Sequence, residues 1–240
     1  MKLRKNGVKQ KPVDDLPNIA NRAQGITRYC RVRMPEFSAP TRDPAPLLER
    51  ALQEWGGQSD LWVFGYASLI WRPEFDYAER RDARVHGWHR ALKMWSHINR
   101  GTPQCPGLVF GMLSGGSCRG MVFRVPQKHA HQVMVNLWQR EMPVAVYDPR
   151  WLTCHTPQGP VQALAFTLSR SSPSYTGELQ PDEYRRIFEQ ASGRYGSTHD
   201  YARDTLHGLR EVGIHDEALA RLLQFSHLPP GSNGPGTMAQ

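Results

Sequence analysis

Two places in this 240-residue chain combine residue types that can do chemistry. The first is Gly65-Tyr66-Ala67-Ser68-Leu69-Ile70, where an apolar run, LWVFGYASLIWRPEF (61–75), is interrupted by small residues. A strand that enters a tight turn of small residues presents successive backbone N–H groups, and such a concave nest holds an anionic oxygen without a charged side chain. Ser68 adds a hydroxyl. The plainer reading is an ordinary strand end, with Tyr66 in the core. The second place is Glu141, at the end of the helical stretch HAHQVMVNLWQREMPV and just before Pro143. A carboxylate at a helix C-terminus meets the negative end of the helix dipole. Apolar neighbours such as Leu137, Trp138 and Met142 would raise its pKa further, toward the range of a general base near neutral pH. The plainer reading here is a solvated glutamate paired with Arg140 or Arg150.

Other chemistries fit the sequence less well. Tyr66-Ala67-Ser68-Leu69-Ile70 lacks both glycines of a G-x-S-x-G nucleophile elbow. Cys30, Cys105, Cys118 and Cys154 form no C-x-x-C pair and have no histidine at zinc-finger spacing, so neither a metal ribbon nor a dithiol centre is indicated. His86, His89 and His97 share one strand region, but the offset of three places His86 and His89 on opposite faces. No metal is expected.

The elements that must position these residues follow from periodicity. Asp43 and Pro44 start a helix whose face is Leu47, Leu48, Ala51, Leu52 and Trp55, and Gly56-Gly57 ends it. The 61–75 run then reads as a buried strand. Further strands are expected around 85–96, 108–113, 118–125, 146–154 and 161–168, with a Gly-rich turn between the second and third of these. A helix is expected over 128–142. Three more, over 181–191, 200–212 and 216–225, make the last third helical. Strands first and helices last imply an α+β domain with a mixed or antiparallel sheet that could close into a small barrel, with helices packed on it.

Charge locates the extensions. Residues 1–50 hold eleven Lys/Arg against five acids, which accounts for six of the eight net positive charges. Residues 1–42 read as a basic, mobile extension, 43–225 as the domain, and 226–240 as a Pro/Gly/Ser-rich flexible tail. No run approaches the roughly 18 apolar residues of a membrane span. With no apolar leader after MKLRKNGVKQ, the expected setting is the cytoplasm, with no membrane partner.

The segments VFGYASLIWRPEFDYAERRDARVHGWHRALKMWS, RGTPQCPGLVFGM, LWQREMPVAVYDPRWL and DYARDTL, in that order over residues 61–225, resemble the ChaC family of γ-glutamylcyclotransferases. The resemblance implies an α+β fold built on a small barrel. It implies that Gly65, Tyr66, Ala67, Ser68, Leu69 and Ile70 bind a γ-glutamyl group, that Glu141 is the acid/base, and that Tyr201 belongs to the substrate site. It also implies glutathione or a related γ-glutamyl peptide as substrate, with no cofactor. The family carries glycine where this chain has Ala67. If that position needs positive φ, alanine is strained by about 1 kcal/mol; if φ is negative, the methyl is tolerated. Two other functions remain open at this level. One is a γ-glutamyl-binding module without turnover. The other is a nucleic-acid-associated protein using the basic N-terminal segment for non-specific contact, since that segment lacks the interleaved aromatics of a specific reader.

Overall fold

The computed structural model describes residues 42–227. Helix α1 (Ala45–Trp55) begins as its sequence signals require. Pro44 precedes the first turn, the Ala45 N–H donates to Asp43 Oδ1 at 2.9 Å, and Gly56 (φ 73°) closes the helix by donating its N–H to the Leu52 carbonyl. Strand β1 (Leu61–Gly65) follows, then a four-residue helical turn, α2 (Ser68–Trp71). The single strand expected over this whole run therefore ends at Gly65. The apolar residues beyond it, Leu69 and Ile70, are buried from a helical turn too short to show a helical period.

Strands β2 (Glu79–Ser96) and β3 (Gly107–Val125) form a long antiparallel pair, and β4 (Asp148–Thr156) pairs with β5 (Gly159–Thr167). The five strands close into a barrel in the order β1-β3-β2-β4-β5, with β1 antiparallel to β3 and parallel to β5 through Val63 and Leu164. The sheet is thus mixed. The turn expected between 113 and 118 is instead a bulge inside one continuous strand. Gly115 and Gly116 take positive φ (100° and 71°) opposite Gly87 (79°), and the ladder slips register between His86 and Trp88 without breaking. Glycine lets the strand bend there, and a bulge sharpens the curvature that closes a small barrel.

β1 is buried on both faces, which is why it reads as unbroken apolar sequence. Leu61 and Val63 join the cluster under α1 and α3 (Gln127–Glu141), while Phe64 joins the cluster beneath the C-terminal helices. On α3 the buried residues Ala130, Val133, Met134, Leu137 and Trp138 form one face, and Trp138 Nε1 donates to the Pro44 carbonyl at 3.0 Å, fastening α1. The helical last third consists of α4 (Pro181–Gln190), α5 (Thr198–Glu211) and α6 (Glu217–Gln224), with a short hairpin, β6 (Ser192–Gly193) and β7 (Gly196–Ser197), before α5. A single 3₁₀ turn, Phe225–His227, carries the folded chain two residues past the expected boundary at 225.

The front boundary shifts as well. Arg42, assigned by composition to the basic extension, belongs to the folded body. Its guanidinium donates to the carbonyls of Ala145 and Tyr147 and pairs with Asp148 at 2.8 Å. Residues 1–41 and 228–240, which include the rest of the expected extensions, lie outside the described residues.

Candidate functional site

The barrel's consequence for chemistry is at the C-terminal end of β1. Gly65 permits the chain to turn there, since a Cβ on it would stand 3.0 Å from Leu69 Cβ and 3.1 Å from Phe123 Cε2. The turn is also packed from below, because a Cβ on Gly120 would stand 2.4 Å from the Gly65 carbonyl oxygen. Arg90, whose side chain is only 6% exposed, donates to the Tyr66 carbonyl at 2.6 Å while paired with Asp216 at 2.5 Å. Asp216 in turn caps α6 by accepting the Leu219 N–H. The C-terminal helices therefore hold the turn through one buried cation.

Ala67 has φ −140° and ψ −119°. Its φ is negative, so the alanine carries no left-handed penalty, and the methyl that departs from the family glycine is accommodated. After it, α2 is closed by the Ile70 N–H to Ala67 carbonyl and Arg72 N–H to Ser68 carbonyl bonds, at 2.9 and 2.7 Å. The short helix docks on α5: Trp71 Nε1 donates to Thr205 Oγ1, and Gly208 makes room for the indole.

Tyr66, Ala67, Ser68 and Leu69 then line one cavity with Glu141 and Tyr201. Six of the eight expected site residues are thus brought together. Gly65 shapes the turn without lining the cavity, and Ile70 points into the core beneath the C-terminal helices. The sequence reading missed Phe110, Tyr147 and Phe166, which complete the wall. Nothing in the sequence marked them, since Phe110 and Phe166 on buried strands, and Tyr147 just before β4, are indistinguishable from core. The enclosed space is about 30 Å³, room for a compact charged head group, so a larger ligand must extend outward from it. A roomier cavity of about 770 Å³ sits at the opposite end of β1, among Trp55, Trp62 and Trp151. Of its charged residues, Asp60 and Arg124 are paired with each other at 2.5 Å and Glu54 with Arg50 at 2.8 Å, and it contains none of the expected site residues.

Glu141 is the last residue of α3, where the Met142 N–H caps the helix on the Trp138 carbonyl. Its side chain keeps 17% of its surface, yet Oε1 itself is closed off from solvent and accepts no directed hydrogen bond. Arg140 Nε stands 2.9 Å from Oε1, so the paired reading of the glutamate is real as a charge contact, but the N–H is not aimed along it. Arg150 is elsewhere, over the Trp88 ring. Burial is the main cause that raises the Glu141 pKa above the usual glutamate range; Arg140 opposes it and Glu74 reinforces it.

The three tyrosines around the carboxylate are neutral walls, and two of them have fixed hydroxyl partners. Tyr66 Oη donates to the Phe166 carbonyl at 3.0 Å and Tyr147 Oη to the Phe110 carbonyl at 2.8 Å, and burial pushes both phenols well above 10. Tyr201 is positioned by the start of α5, where buried Thr198 accepts the Leu108 N–H and donates to the Arg100 carbonyl. Its ring lies against Phe110, with the Arg100 guanidinium 4.6 Å from the ring centre. Burial and the nearby Glu141 charge push the Tyr201 phenol up to about 12. Among the described residues no group of three or more His, Cys, Asp or Glu side chains could hold a metal ion.

A family model described as ChaC-like protein matches residues 61–227, most of the chain and all of the elements that build this cavity. The chain belongs to the ChaC-like family. This ChaC-like chain is 30% identical over 167 residues to the glutathione-specific γ-glutamylcyclotransferase of Escherichia coli, a match covering 69% of this chain and 72% of that protein. It is 31% identical over 149 residues to glutathione-specific γ-glutamylcyclotransferase 1 of Rattus norvegicus, covering 60% of this chain and 66% of the relative. A crystal structure of the glutathione-specific γ-glutamyl cyclotransferase from yeast superposes with a TM-score of 0.65 at 22% identity, covering 71% of this chain and 96% of that one. That likeness shows the fold, an α+β domain on a closed barrel, which the sequence pattern had implied. No helix among the described residues is long and apolar enough to cross a membrane.

Proposed function

We propose that this ChaC-like chain is a γ-glutamylcyclotransferase that cleaves glutathione to 5-oxoproline and Cys-Gly. The observation that carries the reading is the Glu141 carboxylate. It is an acceptor oxygen buried without a directed donor, raised in pKa, and facing the backbone turn at 66–69 across a space sized for a charged head group. A buried polar atom left without a directed hydrogen bond is costly, and it is tolerated where a ligand supplies a better-aimed partner. An α-ammonium is such a partner.

The substrate's own chemistry explains why the site holds no nucleophile. The α-amine of the γ-glutamyl residue attacks its γ-carbonyl carbon, a C–N bond forms to close a five-membered ring, and the C–N bond to cysteine breaks. Glu141 accepts one proton from the α-ammonium, which frees the attacking lone pair. It returns that proton to the departing cysteine nitrogen, then takes the second proton that the ring nitrogen sheds on becoming the lactam and passes it to the released Cys-Gly amine, so the carboxyl ends as it began. The enzyme's work is to hold the substrate folded, with amine and carbonyl in contact, which converts loss of freedom on binding into rate. In this reading the backbone N–H groups of the 66–69 turn take the α-carboxylate, Ser68 donates a hydrogen bond, and Tyr201 closes the far wall. Gly65 and Ile70 serve by shaping the turn. Neither metal nor cofactor has a step in this chemistry.

The setting proposed is the cytoplasm, where glutathione is abundant and reduced. The free thiols of Cys118 and Cys154 fit such a compartment. The deciding experiment is incubation of the purified chain with reduced glutathione. The expected result is stoichiometric 5-oxoproline and Cys-Gly, slowed about 10²–10⁴-fold in Glu141→Gln. Calorimetric binding of glutathione without product would establish the binding-module alternative instead.

A further inference from the structure

Arg140 has no part in the chemistry above, yet it touches both halves of the cavity. Its Nε lies 2.9 Å from Glu141 Oε1, its Nη1 lies 3.0 Å from Glu74 Oε2, and its Nη2 donates to Ser68 Oγ at 3.1 Å. Nη1 also donates to the Arg72 and Pro73 carbonyls at 2.6 and 3.2 Å, which fixes the guanidinium plane to the segment after α2. A guanidinium spreads one charge over a rigid fork, so several acceptors can share it without any of them moving. The fork here is wedged between the turn that would hold a carboxylate and the carboxylate that would move protons.

We propose that Arg140 is a positioning residue whose charge keeps Glu141 ionised as a base, with Glu74 as the counterweight that offsets part of the arginine's charge. The inference rests on Glu141 being the acid/base of the proposed reaction. Three physical points support it. First, the charged side chains acting on Glu141 are Arg140, from the same helix end, and Glu74, from the segment after α2, whose other oxygen is paired with Arg72. The other titratable groups that sense it, Tyr66, Tyr147 and Tyr201, are phenols held neutral by burial. Second, the two charges act in opposite senses: Arg140 favours the ionised carboxylate, and Glu74 disfavours it both directly and by taking part of the guanidinium. A buried carboxylate with neither neighbour would protonate too readily to act as a base, and one paired with an undivided arginine would bind a proton too weakly. Third, Oγ of Ser68 accepts from Arg140 Nη2, so the serine's own hydrogen is left to point elsewhere as a donor. One guanidinium thus sets the base and turns the neighbouring hydroxyl into a donor.

The test titrates the Glu141 carboxyl directly, by carbon-13 NMR of glutamate-labelled protein, with the resonance assigned by its loss in Glu141→Gln. Glutathione is not needed for this readout, so the inference is judged even if the protein releases no 5-oxoproline, an outcome that would defeat the proposed reaction itself. In Arg140→Gln the midpoint should move to higher pH, about a tenfold change in ionisation constant for each unit moved. Arg140→Lys should bring it part of the way back, because charge returns without the fork. In Glu74→Gln the midpoint should move to lower pH. With an active enzyme, the acid limb of kcat/KM follows the same directions, whereas a merely structural arginine would lower the rate equally at every pH. An unmoved midpoint in Arg140→Gln, or an upward one in Glu74→Gln, overturns the proposal. Should Arg140→Gln fail to fold, the Glu74→Gln titration decides alone.

Discussion

Glu141→Gln should cost the protein its activity and make it more stable, and the two effects have one cause. The carboxyl is buried and its folded pKa lies above the usual glutamate value of 4.5, with burial as the leading reason. Between 4.5 and that raised value the unfolded chain has released the proton while the folded chain keeps it, so folding loses stability as pH rises through this window. Above the folded pKa the penalty is complete and constant, at about 1.4 kcal/mol for each unit by which the pKa is raised. Glutamine has the shape of the protonated acid and pays none of it. In a domain of this size about 1 kcal/mol moves the Tm by roughly 2–4 °C. The variant should therefore melt higher than the native protein at pH 8 and together with it at pH 4, while turnover of glutathione falls by a factor of about 10²–10⁴, the usual share of general acid–base catalysis. Calorimetry across pH checks the first half and 5-oxoproline release the second. A variant that melts lower at pH 8, or one that keeps native turnover, would refute the reasoning, because either result means that Glu141 is not an ionisable group held against its preference.

Three further substitutions probe the supports of the site. Ala67→Gly relieves no left-handed strain, since φ is already negative, so it should lower stability by about 0.4–1 kcal/mol through the freer unfolded chain, read by chemical denaturation. Gly120→Ala would drive a methyl to 2.4 Å from the Gly65 carbonyl oxygen and 2.7 Å from Phe64 Cζ. It should cost about 1–3 kcal/mol and raise KM for glutathione by displacing the turn. Asp216→Ala strands the Arg90 cation in a nearly closed site and uncaps α6, and should cost about 3–5 kcal/mol in the same denaturation assay.

What the sequence made legible were features with a local cause. α1 was bounded by a proline and a glycine pair, and α3 by its apolar face and Pro143, so Glu141 was placed correctly at a helix end. The features that escaped depend on contacts distant in sequence. β1 was drawn too long because Leu69 and Ile70 are as apolar as the strand before them, and only the docking of Trp71 on α5 makes that segment helical. Gly115 and Gly116 looked like a turn because a bulge and a turn use the same residue. Tyr147 was invisible as a site residue because a tyrosine leading into a strand looks the same whether its hydroxyl borders a cavity or lies in closed core. Arg42 was counted with a basic tail because only the carbonyls of Ala145 and Tyr147, a hundred residues away, reveal where it goes.

The proposed chemistry explains why this site looks so much like core. An enzyme that supplies a nucleophile must place a serine or cysteine beside a base, and such pairs stand out in sequence. Here the proposed substrate brings both nucleophile and electrophile, so the protein contributes one carboxylate and a shaped, dry enclosure. Dryness requires apolar and aromatic walls, which are the residues that also build a barrel interior. Exclusion of water raises the Glu141 pKa, and it also strengthens every charge acting on that residue. A site of this kind is therefore tuned by few charges. Replacing Glu74 or Arg140 should shift the acid limb of its pH profile, while substitutions among the wall aromatics should act mainly on substrate fit and on folding.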